Sequence, residues 1–183
     1  MGRDKALLPW PKNSASGTLL SCAIRAFSDR CELVLVVGGK NAQTIAPVVY
    51  AQAADLVRNP APERGQFSSL QVGLHEVLNR GRDSAMVTLV DRPPPASETL
   101  AGLVNAFARR SHDIWAVVPE HGGKHGHPFL IGREMIEAFL NAPSNVNARD
   151  VEHAHQQHIS YVPIADPLVT TNVDTPQDYA SLE

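Results

Sequence analysis

The chain has 183 residues, 43% of them hydrophobic; at this size roughly 70% of the unfolded surface is buried, enough for one globular core without staples. Lys plus Arg number 16 and Asp plus Glu 19, for a formal charge of −3, which argues against nucleic acid as the main partner. No apolar run approaches the ~20 residues of a membrane span, so no membrane partner is expected.

The opening, Met1-Gly2-Arg3-Asp4-Lys5, sets a glycine and two basic residues ahead of Leu7-Leu8-Pro9, with no strand before them. A glycine-rich basic turn holds phosphate when a strand precedes it and a helix follows. A helix-like stretch follows at residues 18–27. Residues 31–37 (CELVLVV) form an apolar run ending in Gly38-Gly39, which suits a strand buried on both faces. Further strands are expected at 55–58, 85–90, 114–118 and 159–162, and helices at 69–78, 98–109 and 133–140. Ser97 is read as the N-cap of the second of these helices. A polar helix is expected within 145–157 and a final one at 176–182. Strands alternating with helices at this spacing predict a three-layer α/β fold with a mostly parallel sheet, in one domain spanning residues 1–183. Cys22 and Cys31 read as buried free thiols, and with no secretory leader at the N-terminus the expected location is the cytoplasm.

In open parallel sheets, ligands gather at the carboxyl ends of the strands. Asp91 follows the apolar strand at 85–90 and precedes Pro93-Pro94-Pro95. It reads either as a Mg²⁺ ligand, since that ion takes one or two carboxylates with phosphate oxygens and water, or as a turn cap. Asp174 stands before Thr175-Pro176, where either residue can cap the final helix; a metal role becomes attractive only if the fold brings Asp174 to Asp91. Gly65-Gln66-Phe67-Ser68-Ser69 combines a turn, two hydroxyls and a helix start, which reads equally as an anion pocket or as an ordinary Ser68 cap. The loop His121-Gly122-Gly123-Lys124-His125-Gly126-His127-Pro128 carries three histidines without a cysteine or HExxH partner, a weak zinc signal. It reads better as a loop that approaches a ligand, with His127 donating a hydrogen bond. His153, His155 and His158 read as a solvated helix face. No dinucleotide fingerprint, P-loop or nucleophile elbow is present.

Five blocks together resemble the MobA-like nucleotidyltransferases, and within them the molybdenum cofactor cytidylyltransferases. They are MGRDKALLPW at the start, RNPAPERGQFSSLQVGL (58–74), MVTLVDRPP (86–94), GKHGHPFLI (123–131) and NVDTPQDYASL (172–182). The resemblance implies a Rossmann-like fold and transfer of CMP from CTP to a molybdopterin-type phosphate, with release of pyrophosphate. It implies nucleotide contacts from Gly2, Arg3 and Lys5, with Lys5 and Asp91 catalytic. Asp91 and Asp174 would hold Mg²⁺, and Gly65, Ser68, Ser69 and His127 would line the acceptor site. The partners implied are CTP, a small phosphorylated acceptor and a molybdoenzyme or maturation protein. The physics agrees, because transfer at an α-phosphorus needs in-line positioning and cations on the leaving pyrophosphate rather than a protein nucleophile.

Two departures stand out. The family's first strand and its Leu-Ala-Ala-Gly loop do not precede Met1, so a truncated, impaired enzyme is expected, as a start site assigned too late would produce. The family's Gly-Asp-Gln-Pro is here Val90-Asp91-Arg92-Pro93, which sets a guanidinium beside the metal site. The alternatives are a nucleotidyltransferase for another acceptor, such as a sugar 1-phosphate, and a non-catalytic module of cofactor assembly.

Overall fold

The computed structural model describes residues 4–15, 17–143 and 145–182. Thr18 and Ser21 cap helix α1 (Leu19–Ser28) reciprocally, each side chain accepting from the other's backbone amide. Strand β1 (Leu35–Gly38) follows, then helix α2 (Ala42–Ala51) and strand β2 (Asp55–Arg58). β1 and β2 pair in parallel, with Leu35 opposite Asp55. Leu20 and Ile24 of α1 and Ile45 and Val49 of α2 pack over Val34, Val36 and Leu56, covering one face of this pair.

The second half runs α3 (Gln66–Asn79), β3 (Ser84–Val87), α4 (Ser97–Ala108), β4 (Ala116–His121), β5 (Lys124–His125), β6 (Phe129–Gly132), α5 (Arg133–Asn141), α6 (Ala148–Ala154), β7 (Ile159–Pro163) and α7 (Pro176–Ser181). The strand order is β3-β6-β4-β7, with β5 folded back on β4. β3, β4 and β7 share a direction, and β6 runs antiparallel between β3 and β4. Alternate side chains leave opposite faces of a strand. Ala116, Val118, Phe129, Ile131 and Ile159 accordingly meet Leu74 of α3, Met135, Ile136 and Phe139 of α5 and Val151 of α6. Val117 and Leu130 point the other way, onto Leu103 of α4. The result is the expected three-layer α/β arrangement.

The sheet is in two pieces. No described strand pairs with the second edge of β1 or of β3, and α3 packs on both. A Cβ on Gly73 of that helix would stand 2.9 Å from Val37 Cγ2, so glycine lets α3 lie close on β1. Residues 35–37 are therefore half-buried rather than enclosed on both faces, and the strand is shorter than the apolar run at 31–37 suggests.

Other boundaries differ for identifiable reasons. β3 stops at Val87, opposite Phe129. The next residue on the partner strand is Pro128, which has no N–H to continue the ladder. Ser97 is the first residue of α4 rather than its cap. Asp166, from a distant turn, instead accepts from the Ala96 amide (2.9 Å) and the Thr99 hydroxyl (3.0 Å). His158 stacks on Trp115 with ring centroids 3.8 Å apart, and His155 lies 5.3 Å from the same ring, so these two histidines cover an indole rather than form a solvated face. Among the described residues, no helix is long and apolar enough to cross a membrane.

Candidate active site

The loop after β3 carries Asp91 and the segment before α7 carries Asp174. The Val173 amide donates to the Asp91 carbonyl at 2.8 Å, which pins the two loops together. Between their carboxylates lies the Lys5 ammonium, 3.0 Å from Asp174 Oδ1 and 3.8 Å from Asp91 Oδ2. Three residues distant in sequence thus meet on one charge.

Local structure explains why they are free to do so. Thr175, not Asp174, caps α7: its hydroxyl accepts from the Asp178 amide at 3.1 Å, and Asp178 Oδ2 accepts from the Thr175 amide at 2.7 Å. The first of these interactions in strength, the Thr175 amide, helps hold the Asp178 carboxyl below its ordinary range. With capping assigned elsewhere, the Asp174 carboxylate reaches Lys5. Lys5 itself sits in a short turn, 5–7, that Asp4 opens by accepting from the Ala6 amide at 3.0 Å. The other Asp4 oxygen accepts from Asn41 Nδ2 at 2.7 Å, tying this turn to the start of α2.

Asp91 Oδ1 is buried with no hydrogen-bond partner among the described residues. A buried carboxylate oxygen left unsatisfied costs about 1–3 kcal/mol or more, so the site is chemically incomplete. The donor set of two carboxylates, with room for phosphate and water oxygens, fits a hard divalent cation. No group of three or more His, Cys, Asp or Glu residues among those described is arranged to hold a metal by itself. In the histidine-rich loop, His121 Nδ1 lies 2.8 Å from the Ile164 carbonyl and His125 stacks on Tyr161.

Gly65 stands at φ 89° before α3, a backbone that favours glycine. Ser68 is buried, and its hydroxyl is committed to the protein, donating to the Gly65 carbonyl at 2.7 Å and accepting from Asn59 Nδ2 at 3.0 Å. Ser69 also accepts from Asn59 Nδ2, at 2.9 Å. Asn59 completes its set by accepting from the Ala61 amide. Buried Asn59 is thus the organiser of this turn, which reading the hydroxyls alone did not reveal; the signal is its place directly after β2. The turn opens on a cleft of about 580 Å³ lined by Asn59, Arg64, Ser68, Gln71 and His75, among others. Lys5, Asp91, Asp174 and His127 do not line it. No described hydrogen bond or ion pair links the Gly65–Ser69 turn to the aspartates. Gly2 and Arg3 lie outside the described residues.

His127 lies at the entry to β6, edge-on to Phe129, with its amide donating to the Val169 carbonyl at 2.7 Å. Gly126 precedes it because a Cβ there would fall 2.3 Å from Val169 O. Burial, aided by the positive charge of Arg92 and opposed by the Val87 backbone, brings the His127 pKa down to about 4. The imidazole is neutral at physiological pH. Because the unfolded chain titrates near 6.5, it binds the extra proton first as pH falls, so stability is constant above about pH 6.5 and is lost between about 6.5 and 4. Urea unfolding should show about 2 kcal/mol less stability at pH 5 than at pH 7 from this group, and His127→Gln should abolish that part of the slope.

The chain as a whole is similar to known proteins. The chain is 25% identical over 187 residues to the molybdenum cofactor cytidylyltransferase of Escherichia coli strain K12, covering 98% of this chain and 86% of that one. It is 29% identical over 137 residues to a probable molybdenum cofactor guanylyltransferase of Mycobacterium avium strain 104, covering 75% and 65%. The Rv0371c protein of Mycobacterium tuberculosis H37Rv, solved in complex with manganese, superposes with a TM-score of 0.76 at 22% identity over 99% of this chain and 92% of that one, a likeness of fold. The family model for the MobA-like NTP transferase domain matches residues 1–160, and the chain belongs to that family of nucleotidyltransferases.

Proposed function

We propose that this nucleotidyltransferase moves CMP from CTP to a molybdopterin-type phosphate, using Mg²⁺ and releasing pyrophosphate. The observation that carries the reading is the meeting of Lys5 with Asp91 and Asp174. A bound cation on the two carboxylates would neutralise charge on the α-phosphate and the leaving pyrophosphate. Lys5, released from its aspartates, would take a phosphate oxygen instead. These ion pairs are partly exposed and worth about 0–1 kcal/mol each, so a polyphosphate competes for the ammonium readily. On this reading Asn59 and Ser68 hold the Gly65 turn in shape, and Gly65, Ser69 and His127 would contact the acceptor.

We take CTP rather than GTP because the cytidylyltransferase relative aligns with 98% of the chain. A ligand held at about 100 times its Kd stabilises by about 2.7 kcal/mol, or about 5–10 °C in Tm at this size. With Mg²⁺ present, CTP should give that shift while GTP, ATP and UTP give clearly less. GTP leading the series would turn the reading to guanylyl transfer, and no shift from any nucleotide would end it.

A further inference from the structure

Among the described residues, the buried side-chain polar atoms that lack a hydrogen-bond partner are Asp91 Oδ1, Arg92 Nε and His127 Nδ1. They belong to one neighbourhood. The Val169 carbonyl accepts from the His127 amide at 2.7 Å and from an Arg92 guanidinium nitrogen at 3.5 Å, so both residues converge on one backbone oxygen. Asp91 is the natural use for a cation. The other two atoms call for a different partner.

Arg92 has no carboxylate within ion-pair distance among the described residues, though Asp91 and Asp174 attract it from farther off. Burial outweighs that attraction and brings its pKa down. A guanidinium carries five donors in a rigid fork and suits phosphate or carboxylate. The His127 imidazole is neutral, and its Nδ1 has no partner among the described residues, so in the Nε2–H tautomer that nitrogen can accept a hydrogen bond. One position therefore asks for an anion and the adjacent one for a hydroxyl or N–H. Both residues keep some exposed surface, while the two unpartnered atoms themselves are buried.

We propose that Arg92 is a specificity-determining residue that grips an anionic group of the acceptor, with His127 Nδ1 accepting from a hydroxyl or N–H beside it. The ligand class is a phosphate monoester flanked by a hydrogen-bond donor. This assignment rests on the nucleotidyl-transfer reading for its location on the acceptor side.

The test uses isothermal titration of the full chain with glycerol 3-phosphate, inorganic phosphate and, separately, CTP with Mg²⁺. Arg92→Gln should weaken both phosphates about tenfold or more, the scale of a lost hydrogen bond to a charged group, while CTP affinity stays within about twofold. Arg92→Lys, which keeps the charge without the fork, should fall between. His127→Phe should remove the preference for glycerol 3-phosphate over inorganic phosphate. An equal loss of CTP affinity in Arg92→Gln would assign the guanidinium to the nucleotide and overturn the proposal. Unchanged phosphate affinity in both Arg92 variants, with folding confirmed by Tm, would also overturn it. Wild-type chain that binds the phosphates but no nucleotide would refute the cytidylyl reading and leave this anion site standing.

Discussion

Asp91→Asn is expected to lower kcat about 100- to 1000-fold while leaving Tm within about 2 °C. The carboxylate is the more buried of the two aspartates, with its side chain 24% exposed against 58% for Asp174. Metal assistance supplies several kcal/mol to such transfers, and each 1.36 kcal/mol is tenfold in rate. Stability should hardly change because, among the described residues, Oδ1 has no partner to lose and Oδ2 has only the long contact with Lys5. Asp174→Asn should cost less, about 10- to 100-fold, since a more exposed ligand is more easily replaced by water. The measurement is pyrophosphate release with Mg²⁺, alongside Mn²⁺ binding by electron paramagnetic resonance. Asp91→Asn that keeps a tenth of the wild-type rate, or binds Mn²⁺ normally, would remove the metal role.

Phe139→Ala is expected to destabilise the chain by about 3–5 kcal/mol, the largest single effect on folding. Phe139 is wholly buried at the centre of the main core, edge-to-face with Phe67 at 6.1 Å between centroids. Its carbonyl also accepts from Gln71 Nε2 at 3.0 Å, so α5 holds α3 by both packing and polar contact. Phe67 lies one position before Ser68, and loosening α3 there should disturb the Asn59 network as well. Urea unfolding followed by tryptophan fluorescence would report the loss. A change below about 1 kcal/mol would mean that the core closes over the deleted ring and that this contact does not fix α3.

The layered α/β architecture was legible because β1, β3 and β4 lie within short apolar runs that alternate with helical patterns. β6 is a four-residue strand directly after Pro128, too short for its period to stand out within the 123–131 block. α2 escaped because Pro47 lies inside it and breaks the helical pattern. The antiparallel course of β6 is set by its pairing with both β3 and β4, which no local periodicity encodes. At the site, Asp91 was legible from its place after a strand and before prolines. Asp174 was ambiguous, although Asp178 three residues beyond Thr175 is the capping signal that frees it. Their meeting on Lys5 depends on long-range topology, and only the family resemblance suggested it. Asn59 was missed because a single amide after a strand looks like any turn residue until its partners are known.

Asp4 and Lys5 are neighbours in the chain but hold opposite pieces of the divided sheet. Asp4 grips Asn41, just beyond β1, while Lys5 grips the aspartates beside β3. Together they act as a clasp. Any polyphosphate that draws the ammonium away undoes one side of it, so occupancy and the freedom of the halves to shift are thermodynamically linked. The linkage is reciprocal: a cross-link that locked the clasp shut would make the lysine a poorer host for phosphate.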